Sequence, residues 1–171
     1  MAIGKVNTRW PLQARDRHSH DLTFRPEDFF LGQTEGVGID RDAFGRTLRR
    51  CTIRTEGAMR PTISAICVDE VMNYDDGEIQ NWHWVLSPAS NGRYVVAEAQ
   101  AGSGHIAQLR PDGDFLISFS RTRGWLSERH ATRYAMISRD VAVEQTQVTY
   151  FGMRKLSFTA FRRRLGGPGA W

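Results

Sequence analysis

Most of this chain consists of short segments in which apolar and polar side chains alternate. Alternation with a period of two places one set of side chains on each face of an extended strand, and it is typical of half-buried β-structure. Residues with strong turn propensity separate these segments at intervals of about 8–12 residues. The pattern predicts strands over 34–39, 47–56, 62–74, 78–86, 93–100, 115–121, 133–138, 141–150 and 155–163.

The same pattern limits the architecture. The stretch 102–109 begins at Gly102 and is predicted to continue the strand before it after a glycine break. Pro26 followed by acidic residues is typical of a helix start and predicts one short helix near 26–31. Recurrent strands with so little helix favour an antiparallel sandwich or barrel. We expect a single domain at 24–165. A flexible basic arm at 1–23 is expected before it and a disordered tail at 166–171 after it.

The segment 68–84 predicts a β-hairpin whose inner face carries a carboxylate. Asp76-Gly77 is a strong turn signal, because glycine tolerates the positive φ that a tight hairpin needs. Counting outward from that turn in steps of two opposes Glu70 to Trp82. The side chains that then share a face with Glu70 are Ile66, Val68, Met72, Tyr74, Trp82, Trp84 and Leu86. A buried carboxylate costs free energy unless it is paired, protonated or hydrated, so function is expected inside this sheet.

The charge pattern does not indicate a charged macromolecular partner. The net charge is +4 and the pI about 9.5, with basic residues concentrated near both ends, including the run 162–164. Such ends are usually solvated, and the interleaving of basic and exposed aromatic residues that favours nucleic-acid binding is missing. We expect no membrane span and no secretory signal. Cys51 and Cys67 are expected to be reduced thiols of a cytoplasmic protein.

Several short motifs resemble those of an uncharacterised bacterial domain family. They are Phe29-Phe30-Leu31-Gly32, Asp40-Arg41, Phe44-Gly45-Arg46, Arg49-Arg50-Cys51, Val68-Asp69-Glu70, Tyr74-Asp75-Asp76-Gly77-Glu78 and Tyr150-Phe151-Gly152. The likeness runs from about residue 29 to residue 163, and the Tyr-Asp-Asp-Gly-Glu stretch is its most specific part. The resemblance implies an all-β, antiparallel, lipocalin-like β-barrel of about eight to ten strands with a short N-terminal helix. It implies no particular reaction.

The resemblance also bears on Glu70. The family pattern implies an arginine opposite Glu70, at the position where this chain has Trp82. Glu70 must therefore find another partner, for which Arg54, Arg123 and Arg133 are candidates, or lose its charge. One interpretation is a structural ion pair. The other is a carboxylate with a raised pKa that binds a ligand amine or hydroxyl, or that moves a proton.

Two functional hypotheses share the predicted barrel interior. The first is a binding protein for a small hydrophobic or aromatic molecule. Its candidate ligand-binding residues are Met72, Trp82, Trp84, Arg54 and Glu98, the last as a second internal carboxylate. The second is a cofactor-independent lyase or isomerase in which Glu70 is the acid or base and Tyr74 donates to a developing oxyanion. A filled barrel with a structural or partner-binding role is the third alternative. The sequence predicts no cofactor and no metal site, and it leaves a homodimer open.

Overall fold

Ten antiparallel strands form one sheet that closes on itself, because the first strand pairs with the last. The computed structural model describes residues 22–98, 102–123, 126–151 and 153–166. The strands are β1 (Gly32–Asp42), β2 (Thr47–Arg60), β3 (Ala65–Tyr74), β4 (Ile79–Pro88), β5 (Arg93–Glu98), β6 (Gly102–Leu109), β7 (Phe115–Arg123), β8 (Leu126–Ser138), β9 (Val141–Tyr150) and β10 (Met153–Leu165). The helical elements are α1 (Pro26–Phe29) and a 3-10 turn (Pro61–Ile63). The predicted all-β antiparallel barrel is confirmed, and the short helix is a small addition to it.

Two of the strand predictions are corrected. The stretch 102–109 does not continue the preceding strand: it is β6, which runs back antiparallel beside β5 with Val96 opposite His105. Residues 99–101, Ala-Gln-Ala, lack the Gly, Pro, Asn or Asp that normally marks a reversal, so no turn was predicted there. Strand β8 begins at Leu126 rather than near 133. Polar side chains occupy alternate positions in its first half, which hides the apolar period.

The strand connections alternate between two ends of the barrel. The β1–β2, β3–β4 and β9–β10 links lie at one end, which we call the mouth, and the β2–β3, β4–β5, β6–β7 and β8–β9 links lie at the other. Helix α1 packs on the second end, where the Phe24 N–H donates to the Gly113 carbonyl at 2.8 Å. Gly57 permits this packing, since a Cβ there would lie 1.9 Å from the Phe30 carbonyl oxygen. We call the end of the barrel on which α1 packs the closed end.

Aromatic rings fill the closed end. Phe24 packs within 5.0–5.7 Å, between ring centroids, of the rings of Phe29, Phe30, Phe115 and Tyr134. We call these five rings the closed-end cluster; Leu86, Tyr94, Val96, Ile117 and Phe119 belong to the same continuous core. Large rings bury much apolar area, so this cluster supplies a major part of the stabilising free energy.

The predicted hairpin of β3 and β4 is confirmed in its register. Glu70 lies opposite Trp82, and the Tyr74 N–H donates to the Glu78 carbonyl at 2.9 Å beside the turn. Gly77 has a φ of 88°, the left-handed conformation for which glycine is suited. Glu70 is buried on the inner face, as the alternation predicted.

Three remaining expectations concern the chain as a whole. Within the described ranges, no helix is long and apolar enough to cross a membrane. Cys51 and Cys67 are buried and free. The predicted arm at 1–23 and tail at 166–171 lie almost entirely outside the described residues, so the domain limits stay predictions.

Candidate functional site

An internal cavity of about 310 Å³ occupies the barrel between the closed-end cluster and the mouth. The strands bring inward-facing side chains to it from most of the wall. They are Asp40, Arg49, Glu70, Met72, Tyr74, Gln80, Trp82, Trp84, Ile117, Phe119, Glu128, His130, Thr132, Tyr134, Glu144, Thr146, Val148, Tyr150, Leu156 and Phe158. The lining therefore combines an aromatic wall with titratable groups.

A buried ion cluster of Glu70, Glu144 and Arg162 lies beside the cavity. Arg162, on β10, is only 1% exposed. Its Nη2 donates to Glu70 Oε2 on β3 at 2.6 Å, and its Nε donates to Glu144 Oε2 on β9, also at 2.6 Å. One guanidinium thus joins three strands across the barrel interior. Charge-assisted hydrogen bonds of this length are the strong kind, and their geometry fixes both carboxylates.

The cluster holds one more carboxylate than cation, and this shifts the pKa of Glu144. Burial raises that pKa, Arg162 opposes the rise, and the negative charge of Glu70 adds to it. Tyr134 hydrogen-bonds to Glu144, and burial raises the pKa of its hydroxyl well above the ordinary value. Glu144 is consequently a carboxyl group that takes up a proton more readily than a solvated glutamate.

Stacked aromatic rings form one wall of the cavity. The rings of Trp82 and Trp84 are 5.6 Å apart and inclined by 10°, and Trp84 meets Phe119 edge-on at 5.8 Å. Phe119 stacks in turn on His130, with 4.5 Å between the ring centroids. His130 Nε2 lies 3.1 Å from Glu128 Oε2. Trp82 is directly cross-strand from Glu70, so the aromatic wall adjoins the ion cluster.

A second ionic network lies at the mouth. Arg49 Nε donates to Asp40 Oδ2 at 2.7 Å, Arg49 Nη1 donates to Glu78, and its guanidinium carbon lies 3.6 Å from the centre of the Tyr74 ring. We call these four residues the mouth network. Hydrogen bonds from Gln80 and Arg49 lower the pKa of Glu78, and burial raises the pKa of Asp40. The network covers Tyr74 with a cation at the entrance.

The structure brings five of the predicted site residues together on the cavity lining: Glu70, Met72, Tyr74, Trp82 and Trp84. Tyr74 lies under Arg49 at the mouth, where its hydroxyl contacts Met72 Sδ at 3.8 Å and Gln80 Oε1 at 3.5 Å. Their roles as ligand-binding or catalytic groups stay predictions.

Two of the predicted partners of Glu70, Arg54 and Arg133, are wrong. Arg54 is exposed on the outer face of β2, and Arg133 pairs with Asp114 near the closed end. The side chain of Arg123 lies outside the described part of the chain, as does that of Glu98, whose backbone pairs with Trp84. The partner of Glu70 is Arg162, which the sequence placed in a solvated basic run.

Sequence reasoning also missed Glu144, Tyr134 and the pair of His130 and Glu128. A signal for Arg162 was present, because it follows the inward residues Phe158 and Ala160 in steps of two. The two arginines that follow it masked that alternation. Among the described residues, no group of three or more His, Cys, Asp or Glu side chains is placed to hold a metal ion.

A larger concavity of about 1000 Å³ lies mainly along the outer face of β1, β2 and β10. Exposed residues of these strands contribute to it, including Val37, Arg50 and Phe161. Among the residues that the structure describes, this outer groove is lined by no buried charged side chain. The convergence of buried charge and stacked rings therefore makes the internal cavity the candidate site.

The barrel and its cavity define the class of protein: a closed, ten-stranded antiparallel β-barrel with a partly charged interior. The chain belongs to the family described as "Protein of unknown function (DUF3833)", whose sequence profile matches residues 10–116. Membership of a family without an established activity agrees with the resemblance seen in the sequence. No curated protein matches this chain.

Two solved structures share the fold at low sequence identity. An S-type phycobiliprotein lyase, CPES from Guillardia theta, has a TM-score of 0.61 and 9% identity, with 81% of this chain and 89% of that chain covered. A protein of unknown function from the DUF3598 family of Nostoc punctiforme has a TM-score of 0.62 and 11% identity. That match covers 84% of this chain and 50% of the other. Such identities show the fold alone.

Proposed function

We propose that this protein binds a small hydrophobic or aromatic molecule inside a lipocalin-like barrel. The observation that supports the proposal is the cavity itself, about 310 Å³ of space within the barrel, bounded by stacked rings on one side and buried carboxylates on another. Ligand cavities in proteins usually measure about 300–1,000 Å³. The volume is at the small end of that range, which favours a ligand of about two fused rings.

The lining residues have different roles in the proposed binding. Trp82 and Trp84 present a broad aromatic surface on which a flat ligand stacks. Met72, an unbranched and polarisable side chain, adapts to the ligand shape from the neighbouring strand. Glu70 is held by Arg162 and orients a polar group of the ligand.

Further parts of the proposal concern origin and assembly. The lipocalin-like character and the bacterial source follow from the sequence resemblance, and the homodimer is an option that the sequence leaves open. The free thiols of Cys51 and Cys67 support a reducing compartment such as the cytoplasm. The likeness to a phycobiliprotein lyase supports the barrel and contributes no substrate.

Quenching of tryptophan fluorescence by a panel of apolar aromatic compounds tests the proposal. We expect saturable quenching that weakens strongly in Trp84→Phe, because this ring adjoins both Trp82 and Phe119 in the cavity. Phe161→Ala is the matched control, since Phe161 is exposed on the outer face. Quenching that is lost in Phe161→Ala and kept in Trp84→Phe would move the site to the outer groove. No saturable quenching by any compound would refute internal binding.

A cofactor-independent lyase or isomerase is the second candidate, and one observation favours it. Glu144 has a raised pKa and adjoins the Tyr134 hydroxyl on the lining, which supplies an acid and a hydrogen-bond donor at one place. The original assignment to Glu70 and Tyr74 remains a prediction, with Glu70 fixed by Arg162 and Tyr74 at the mouth. Liquid chromatography coupled to mass spectrometry of each bound compound decides between the candidates, because retention time separates isomers of equal mass. A carrier returns the compound unchanged, whereas an enzyme converts it and loses that turnover in Glu144→Gln.

A further inference from the structure

The interior of the barrel is acidic although the chain as a whole is basic. The carboxylates among the described lining residues are Asp40, Glu70, Glu128 and Glu144. The guanidinium in that lining is Arg49, and Arg162 adds a second one behind two of the carboxylates. The chain carries a net charge of +4, so its overall composition does not account for an acidic cavity. The acidic lining of the cavity therefore bears on the charge of the ligand.

Part of the excess of negative charge is located at the buried ion cluster. Asp40 is paired with Arg49, and Glu128 adjoins His130. Glu70 and Glu144, in contrast, share the single guanidinium of Arg162. A group that brings positive charge to this place gains Coulomb energy that the protein alone does not realise.

One oxygen of the cluster is still available to a donor. Glu70 is 7% exposed and uses Oε2 to accept from Arg162. Its other oxygen, Oε1, accepts no hydrogen bond from any residue in the described part of the chain. Glu144 Oε1, by comparison, is 3.4 Å from the Thr146 hydroxyl. Oε1 is not among the fully enclosed, unpaired polar atoms of the described residues, and Glu70 lines the cavity. A ligand N–H in the cavity can therefore donate a charge-assisted hydrogen bond to this oxygen.

Arg162 is poorly placed to anchor an anion. Its Nε and Nη2 are already bound to carboxylates, and Arg162 is not part of the cavity lining. Its Nη1 is buried and without a hydrogen-bond partner in the part of the chain that the structure describes. Glu70 and Glu144 contact the same guanidinium, and their negative charges repel an anionic ligand.

On the basis of the proposed binding function, we propose that the ligand is a small planar aromatic molecule carrying a protonated amine. The amine donates to Glu70 Oε1, and the ring lies against Trp82 and Trp84. Cross-strand neighbours have their Cβ atoms about 5 Å apart, so one short linker spans the carboxylate of Glu70 and the ring of Trp82. A cation close to tryptophan faces gains a further electrostatic attraction.

Isothermal titration calorimetry with three naphthalene probes at pH 7 tests this inference. The probes are 2-naphthylmethylamine, 2-naphthylmethanol and 2-naphthoic acid, which differ in charge and share one ring system. We expect the amine to bind about tenfold or more tightly than the alcohol, because both groups can donate a hydrogen bond to Glu70 but only the ammonium adds an ion pair. The acid should bind weakest. Equal binding of all three, or tightest binding of the acid, would overturn the amine assignment and leave internal ligand binding standing. If none of the three binds while other aromatic compounds still quench, the assignment alone fails. If no compound binds in the calorimetric assay or quenches in the fluorescence assay, both the amine assignment and internal ligand binding are refuted.

A pair of glutamate variants locates the effect. Glu70→Gln removes the charge with little change of shape, so the amine should lose its advantage over the alcohol. Glu56→Gln is the matched control, because Glu56 is exposed on β2, and it should keep the full preference. An unchanged preference in Glu70→Gln contradicts the role of Glu70. Near-ultraviolet circular dichroism checks that the variant is folded, and if it is not, the three probes on the wild-type protein decide the question.

Discussion

The two ends of the barrel are built from different chemistry. At the closed end, Phe24, Phe29, Phe30, Phe115 and Tyr134 pack ring against ring under α1, and Phe24 and Phe115 have no exposed surface. At the mouth, Arg49 holds Asp40 and Glu78 while Tyr74 lies beneath its guanidinium. The closed end excludes water with apolar surface, whereas the mouth arranges charge around an opening.

The difference indicates that the closed end mainly stabilises the barrel, whereas the mouth mainly affects ligand binding. Close packing of large rings yields the most free energy per residue, and partly exposed ion pairs yield little. The buried ion cluster lies between the two ends, where Tyr134 belongs to the closed-end cluster and also hydrogen-bonds to Glu144. We therefore expect the cost of a substitution to fall from the closed end toward the mouth, and its effect on ligand exchange to rise.

The largest effect is expected from Phe115→Ala. This ring packs against Phe24 at 5.7 Å and Tyr94 at 5.2 Å, so its removal leaves a void that the closed wall cannot fill. The free energy of unfolding should fall by about 4 kcal/mol, measured by urea denaturation. Phe44→Ala removes a ring that is 85% exposed and should change stability by less than about 0.5 kcal/mol. Similar losses in both variants would remove the contrast between packed and exposed rings.

Arg162→Met should follow, with a loss of about 3 kcal/mol at neutral pH, because two buried carboxylates lose their common partner. Part of that loss should be recovered at pH 5, because burial raises the pKa of Glu144 and this carboxyl group takes up a proton more readily as the pH falls. Urea denaturation at the two pH values measures both effects. Arg163→Met, at an exposed neighbouring position, serves as control. A loss independent of pH would mean that Arg162 stabilises the barrel through packing rather than charge.

A smaller and pH-dependent effect is expected from Glu144→Gln. The pKa of Glu144 in the folded state is raised above 4.5, its ordinary value, so the folded state binds the proton more tightly than the unfolded chain does. The stability contributed by this group is complete below pH 4.5 and is lost as the pH rises through the folded-state pKa. Unfolding free energies from pH 4 to 8 should therefore fall more steeply for the wild-type protein than for Glu144→Gln. The difference is at most one proton, about 1.4 kcal/mol per pH unit. Parallel profiles would show that Glu144 has an ordinary pKa.

The smallest effect on stability is expected from Glu78→Gln at the mouth. Glu78 is half-exposed, and Gln can still accept from Arg49, so the urea midpoint should not change measurably. Ligand exit should quicken by up to about fivefold, which corresponds to an exposed ion pair. Stopped-flow fluorescence measures that rate, and Asp75→Asn, at the same turn with a 3.9 Å contact to Arg50, is the control. Equal rates in both variants would exclude a gating role for the mouth network.

The sequence predicted the fold well where local chemistry agreed with it. Asp76-Gly77 determined the turn, and counting by two from it placed Glu70 opposite Trp82 and inside. The β5–β6 reversal was missed because its link carries no turn residue. The first half of β8 was missed because Glu128, His130 and Thr132 face inward, and polar residues on an inner face conceal the apolar period.

The sequence predicted only part of the candidate site. The residues of one hairpin were found because a single turn aligned them, whereas Glu144 and Arg162 lie on strands far away in the chain. No local sequence signal predicts which two strands face each other across the interior of a barrel. Arg162 was also hidden in a run of three arginines, of which Arg163 is exposed and Arg162 is buried. Such departures from the expected pattern concentrate where a fold carries buried charge.

The pairing of β1 with β10 has a consequence for how the protein is made. A ribosome delivers Glu70 and Glu144 before Arg162, so a growing chain holds both carboxylates before their cation exists. Only the strand that seals the wall brings the guanidinium with it. Closing the barrel and pairing its two buried carboxylates with Arg162 then occur in the same step of folding. Before that event, water must solvate the two acids; after it, they are enclosed with their partner.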